Sequence, residues 1–337
     1  MKGRKKVTEE LELKYGVGAL LYCPANNPAI ISKITEQQIK PPYSVALCLE
    51  DAIADDAVAD AEKQLAATLG ELSARAHEGF YLPKLFVRVR SADHLLSLFG
   101  KLGENAQLLT GFILPKYSSE NALAYNQAIT AINKVSPKRL YMMPILESRD
   151  IISLMTRSQT LTKLKTAIDS VRDLVLNVRV GGNDFCNCYG LRRPADKTIY
   201  EIGILNSVLS DIANVFGADY VVSAPVWEYF ESEDGDSRWL EGLKRELEFD
   251  RLNGFVGKTC IHPSQIEAVN MSLQVSETDY LDAARVLNWK RGGFGVEKSA
   301  GGDRMNEVKC HKAWAVRTMA LAMIYGIRSE EYHEIHA

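Results

Sequence analysis

The residues of this 337-residue chain whose types could do chemistry fall at the ends of short apolar runs. Glu50-Asp51 follow the run 44–49, Arg88 and Arg90 close the run 84–89, Pro115-Lys116 follow 111–114, and Glu147-Ser148 follow 139–146. Asn183-Asp184 come just after 174–180, and Pro24-Ala25-Asn26, Ala224-Pro225 and Lys258 with His262-Pro263 repeat the arrangement elsewhere. Carboxylates placed this way can offer oxygen ligands to a hard divalent cation or move protons, and the rigid guanidinium fork of an arginine suits a carboxylate. The plain alternative is that polar residues only mark where strands meet loops. It accounts for any one of them and poorly for so many in parallel.

The elements that must position these residues are legible as alternation. The apolar runs 18–23, 44–49, 84–89, 111–114, 139–146, 174–180, 218–224 and 254–261 have the length and the Val, Ile, Leu, Phe and Tyr content of buried parallel strands. Helical patterns fill several intervals: 55–69 is alanine-rich and opens with acids, 120–133 follows Ser118-Ser119, and 200–215 ends near Gly217. Eight strands separated by helices give either a doubly wound open sheet or a closed barrel. The strand-end residues decide for an α/β fold of the (β/α)8 TIM-barrel type, because only there do all those ends emerge on one face. The expected division is a barrel over residues 1–275 and a C-terminal helical extension or lid over 276–337.

Composition excludes several other roles. Forty basic against 43 acidic side chains leave a net charge of −3, with no global attraction for nucleic acid or an acidic membrane surface. The N-terminal region has no continuous apolar segment of the signal-peptide kind, and nowhere do about 18 apolar residues run together as a membrane span requires. A cytoplasmic protein is expected, with its six scattered cysteines reduced. Cys186 and Cys188 stand too close, and without a second pair, to read as a soft-metal site. Gly257-Lys258-Thr259 mimics the end of a phosphate-binding loop, but the glycine required five residues earlier is Leu252. No G-x-G-x-x-G fingerprint follows a strand, which argues against a dinucleotide-binding dehydrogenase.

Six segments carry a family resemblance. They are Leu47-Cys48-Leu49-Glu50-Asp51-Ala52-Ile53, Phe86-Val87-Arg88-Val89, Ile113-Leu114-Pro115-Lys116, Pro144-Ile145-Leu146-Glu147-Ser148, Gly181-Gly182-Asn183-Asp184 and the stretch from Gly254-Phe255-Val256-Gly257 through His262-Pro263-Ser264-Gln265-Ile266. In that order they resemble the citrate lyase β-subunit-like (CitE-like, HpcH/HpaI aldolase) superfamily. Gly190-Leu191-Arg192-Arg193 and Gly302-Asp303-Arg304-Met305-Asn306-Glu307 are similar to its divergent branch of TIM-barrel carbon–carbon bond lyases.

The resemblance implies a Mg2+-dependent lyase or aldolase, with Mn2+ as the alternative ion, acting on a small carboxylate-containing acyl or keto-acid substrate. Cleaving a carbon–carbon bond beside a carbonyl leaves an enolate, whose charge must be stabilised while a proton moves. Glu147 and Asp184 match the family's metal-binding acids, and Arg88 its substrate-gripping arginine. Glu50 and Asp51 match acids near the metal, and Lys116 a lysine that meets substrate or those acids. Arg90, Arg192 and Arg193 suggest a more anionic substrate, which keeps open a phosphorylated or nucleotide-like intermediate, or a catalytically silent metabolite-binding subunit. Paired arginines are as often mere surface charge.

Departures from the family narrow the rest. Positions that along the helix after Glu50-Asp51 should hold a lysine and an Ala-Arg pair read Ala59 and Glu62-Lys63. Gly18-Ala19 and Pro24-Ala25-Asn26 replace the Arg-Ser and Pro-Gly-Ser with which relatives help hold a thioester, so a coenzyme A ester is not assumed. Glycines from Arg291-Gly292-Gly293 to Gly301-Gly302 permit a lid, followed by a helix over 306–324. By resemblance this part packs on a neighbouring subunit of a homo-oligomer, a trimer or hexamer, and Glu307 aligns with an acid brought to the partner's site. The bland reading of Glu307 is a first-turn helix acid.

Overall fold

The computed structural model describes residues 2–231, 235–289 and 295–328, so Arg291, Gly292 and Gly293 of the expected lid lie outside the described residues. The chain forms two compact units, one of Val17–Val269 and one of Met1–Gly16 with Asn270–Ala337. The sequence pattern drew a single line at 275, whereas the contacts group the N-terminal helix with the C-terminal segment.

The larger unit is built on strands β1 (Ala19–Pro24), β2 (Ser44–Cys48), β3 (Lys84–Arg88), β4 (Gly111–Leu114), β5 (Tyr141–Leu146), β6 (Val178–Val180), β7 (Val222–Ser223) and β8 (Lys258–Cys260). All eight expected strands are present and run in the order β7-β6-β5-β4-β3-β2-β1-β8, each pair parallel. A parallel bridge between Ala224 and Lys258 closes the ring. There the Ala224 N–H donates to Gly257 O at 3.1 Å and the Val256 N–H to Val222 O at 2.8 Å. Gly257 is required at this seam, because its φ is +72° and a Cβ would lie 2.4 Å from Gly18 O. The fold is therefore the closed (β/α)8 barrel that the strand-end residues pointed to.

The helices are α1 (Lys2–Tyr15), α2 (Ala29–Thr35), α3 (Val58–Arg75), α4 (Ala92–Leu102), α5 (Ala122–Val135), α6 (Arg149–Ile152), α7 (Arg157–Asp169), α8 (Gly182–Cys188), α9 (Gly203–Phe216), α10 (Arg238–Leu252), α11 (Gln265–Leu273), α12 (Glu277–Leu287) and α13 (Val308–Tyr325). Their apolar residues recur at helical spacing: α3 buries Ala61, Leu65, Leu69 and Leu72, and α9 buries Leu205, Leu209, Ile212 and Phe216. α9 starts at Gly203 rather than 200 because Ile199–Glu201 form a separate turn, held by a capping box of Thr198 and Glu201. β6 and β7 are shorter than their apolar runs, and Leu174 at the start of the β6 run belongs to a 3-10 turn of Arg172–Leu174. Among the described residues no helix is long and apolar enough to cross a membrane, and all six cysteines are free.

In the smaller unit α12 and α13 pack together, α13 also meets α1, and β9 (Val275–Ser276) pairs with β12 (Ile327–Arg328). A hairpin of β10 (Val296–Lys298) and β11 (Met305–Glu307) is fastened to α12 by Asp282. That fully buried carboxylate accepts from the Ala300 N–H at 2.6 Å and from Arg304 Nη2 at 2.8 Å.

Candidate functional site

The C-terminal ends of the barrel strands of the larger unit frame a cavity of about 370 Å3 lined by Tyr22, Asp51, Arg88, Glu147, Arg179, Asp184, Arg192 and Glu228, among others. β2 and β3 bring the first group together, as the Leu49 N–H donates to Arg88 O at 3.0 Å. Arg88 Nη2 then lies 2.7 Å from Glu50 Oε2, 2.9 Å from Asp51 Oδ2 and 3.8 Å from Glu147 Oε1. Burial works against a charge on Arg88, but the acids around it hold it firmly protonated.

Lys116, just past β4, has a φ of 49°, in the left-handed region that side chains seldom adopt. Its backbone N–H donates to Glu147 Oε1 at 2.6 Å and its ammonium to Glu50 Oε1 at 2.7 Å. The turn thus joins two acids from different strands. The hydrogen bond to Glu50 raises the Lys116 pKa against a smaller effect of burial, so this group stays cationic.

Glu147 follows β5 and is 6% exposed. Burial pushes its pKa up to about 8, with the neighbouring Asp184 carboxyl adding to the rise and Arg88 opposing it. Glu147 stands against Gly181 after β6, where a Cβ would lie 2.2 Å from Glu147 Oε2. Glycine is what lets the carboxyl and the β6 backbone approach so closely. Asp184 reaches the same cavity from the first turn of α8. Asp51 is held ionised: burial raises its pKa, but the hydrogen bond to Glu50 and the charges of Arg88 and Lys116 together lower it.

The decisive comparison is the model of the C–C bond lyases of the TIM-barrel fold, which matches residues 11–327. The chain belongs to this family of carbon–carbon bond lyases. No curated protein matches the lyase in sequence. Among solved structures it is similar to CitE from Mycobacterium tuberculosis in complex with magnesium, acetoacetate and coenzyme A. The two are 21% identical over 91% of this chain and 98% of that one, with a TM-score of 0.58. A citrate lyase from Burkholderia xenovorans LB400 is 14% identical over 94% of each chain, with a TM-score of 0.67. RipC from Yersinia pestis is 16% identical over 78% of the lyase and 98% of its own chain, with a TM-score of 0.53. At these identities the likeness is one of fold.

The lyase brings Glu50, Asp51, Arg88, Lys116, Glu147 and Asp184 together, and Arg192 lines the same cavity with its side chain 76% exposed, 3.7 Å from Glu228. Arg90 turns elsewhere, pairing with Asp55 and donating to Leu49 O at 3.2 Å. Arg193 corrects the expectation of a substrate contact. It points into the core, 2% exposed, where its guanidinium pairs with Glu246 at 2.5 Å and lies 4.6 Å over the Trp227 ring. Arg192 beside it stays exposed, so only one of the two adjacent arginines reaches the mouth. Glu307 sits at the N-terminal cap of α13 in the smaller unit, its N–H donating to His311 Nδ1 at 2.9 Å. Lys258 is buried between Glu246 and Asp250, and His262 stacks on Phe230 with its Nδ1 2.8 Å from Ser264 Oγ.

Sequence reasoning missed Tyr22, Arg179, Thr259 and Glu228 of the lining. Arg179 could have been found, since a charge flanked by Val178 and Val180 within a buried strand is a cost that demands a reason.

Proposed function

We propose that the lyase holds magnesium through Glu147 and Asp184 and breaks or makes a carbon–carbon bond next to the carboxylate of a small acyl or keto-acid substrate. The observation that carries this reading is the pair itself: the buried Glu147 carboxyl, packed against Gly181, and the Asp184 carboxyl on one cavity. Two neighbouring carboxylates repel each other, and a cation between them relieves that repulsion. Among the described residues no group of three or more His, Cys, Asp and Glu could hold a metal. Two acids with the remaining positions open to water and substrate is the donor set that magnesium takes, and it fits these residues. When bound, the ion supplies positive charge to the oxygen on which the enolate charge develops. The magnesium in the CitE complex supports this choice.

The protein's own residues supply the remainder. Arg88, locked by Glu50 and Asp51, presents a fixed cation at the cavity wall and orients the substrate. Asp51, ionised and on the lining, is the group we assign to proton transfer, with Lys116 and Glu50 fixing its position. Arg192 stands at the cavity where the outer part of the substrate passes. Arg90 and Arg193, which argued for a phosphorylated compound, are both engaged by acids of the protein, and this favours the keto-acid reading. The coenzyme A in the CitE complex supports a thioester as one form of the acyl group. We assign the lyase to the cytoplasm as a homo-oligomer, with Glu307 directed to a neighbouring subunit.

Exchange of the methyl protons of pyruvate in D2O, followed by NMR, tests this reading. Magnesium-dependent exchange above the buffer rate, lost in Glu147→Gln, is the expected result; exchange indifferent to a chelator contradicts it.

A further inference from the structure

Of the three arginines that line the cavity, Arg192 is exposed at 3.7 Å from Glu228, while Arg88 and Arg179 are buried in opposite surroundings. Arg88 touches three acids. Arg179, the central residue of β6, is 2% exposed and makes no ion pair among the described residues. Its Nη2 donates to Thr259 Oγ1 at 2.6 Å, while its Nη1 is buried without a partner. In register beside it stand Ile145 and Ser223, neither of which carries charge. The other groups facing it are the Tyr22 hydroxyl, which is within hydrogen-bonding reach of the guanidinium, and the Cys260 thiol; both are kept neutral because burial raises their pKa values, so neither supplies a counter-charge.

A buried cation without a counter-charge is unfavourable, and proteins retain one where a ligand supplies the missing anion. Water can satisfy a donor but leaves the charge uncompensated. One unpartnered guanidinium nitrogen on a cavity also lined by Ile145 and the hydroxyl-bearing Thr259 suits a carboxylate oxygen; the three oxygens of a phosphate call for more donors than remain.

We propose that Arg179 binds a substrate carboxylate distinct from the end held near Glu147 and Asp184, which makes the substrate a dicarboxylate small enough for the cavity. The second half rests on the metal reading above; the anion preference of Arg179 does not.

The test compares ligands matched in length and differing in one carboxylate. With magnesium present, calorimetry is run with α-ketoglutarate against α-ketovalerate, and without metal with succinate against butyrate. Wild-type protein is expected to prefer the dicarboxylate at least about tenfold, a difference of about 1.4 kcal/mol. Arg179→Met should abolish that preference while sparing the monocarboxylate, and Arg179→Lys should keep part of it. The melting temperature of Arg179→Met should be unchanged or higher, because an uncompensated buried charge is removed. No preference in the wild type under either condition, a preference that survives Arg179→Met, or an Arg179-dependent preference for inorganic phosphate instead overturns the proposal. Should only the magnesium arm fail, the metal reading falls while Arg179 stands on succinate. If Arg179→Met does not fold, loss of charge selectivity in Arg179→Gln decides, and selectivity retained there overturns the proposal equally.

Discussion

Arg88 and Glu50, from adjacent strands and 38 residues apart in sequence, form an ion pair at 2.7 Å with both side chains 9% exposed. Removing the Glu50 charge leaves Arg88 only Asp51 at 2.9 Å as a close counter-charge and takes from Lys116 its 2.7 Å partner. Glu50→Gln is therefore expected to cost about 3 kcal/mol of stability, the lower end for a pair broken from one side. It should also reduce kcat/KM by at least about tenfold through misplacement of Arg88 and Lys116. Urea unfolding and steady-state kinetics check both; a variant as stable and active as the wild type would show that the pair positions nothing.

Gly181→Ala places a methyl group where Glu147 Oε2 now lies, 2.2 Å away. The carboxyl must swing aside. Magnesium affinity is expected to fall by about 10–100-fold, as when a residue that orients a ligand is altered. Gly203→Ala, where a Cβ meets nothing within 4 Å, should leave affinity unchanged. Equal affinities in the two variants would separate Glu147 from the metal.

Arg192 and Arg193 adjoin in sequence and differ in consequence. Arg193→Ala leaves Glu246, fully buried, with one cation fewer and is expected to cost about 3–5 kcal/mol. Arg192→Ala should leave the melting temperature within about a degree, since exposed charges contribute little, and raise KM. A destabilising Arg192→Ala or a stable Arg193→Ala would reverse the assignment.

That pair shows what the sequence could and could not convey. The barrel was legible because strand length, helix spacing and the alternation of the two are local properties, and Glu50, Arg88, Lys116, Glu147 and Asp184 were legible because a closed parallel barrel delivers every strand end to one face. Side-chain direction beyond the strand is another matter. Whether Arg193 meets solvent or Glu246, or Arg90 meets a ligand or Asp55, depends on partners up to 53 residues away, which no local pattern encodes. Arg179 is hidden for a different reason: the apolar run 174–180 has the pattern of a core strand, and nothing local shows that its one charge faces a cavity.

Asp282 provides a pH test of the smaller unit. Burial raises its pKa, but the Ala300 N–H and Arg304 outweigh that and lower it overall. A carboxyl depressed on folding contributes stability that is present above its unfolded value, about 3.9, and lost as pH falls through the lower folded value. The stability gap between wild type and Asp282→Asn should therefore be full at pH 7 and shrink below about pH 4. A gap constant down to pH 2.5, about the limit for such a group, would mean the charge is not what matters.

The most direct measurement is calorimetric titration of magnesium into metal-stripped wild type, Glu147→Gln and Asp184→Asn. The account predicts one site in the wild type and at least a tenfold weaker affinity in each variant, about 1.4 kcal/mol or more. Unchanged affinity in both variants, with the fold intact, would contradict it.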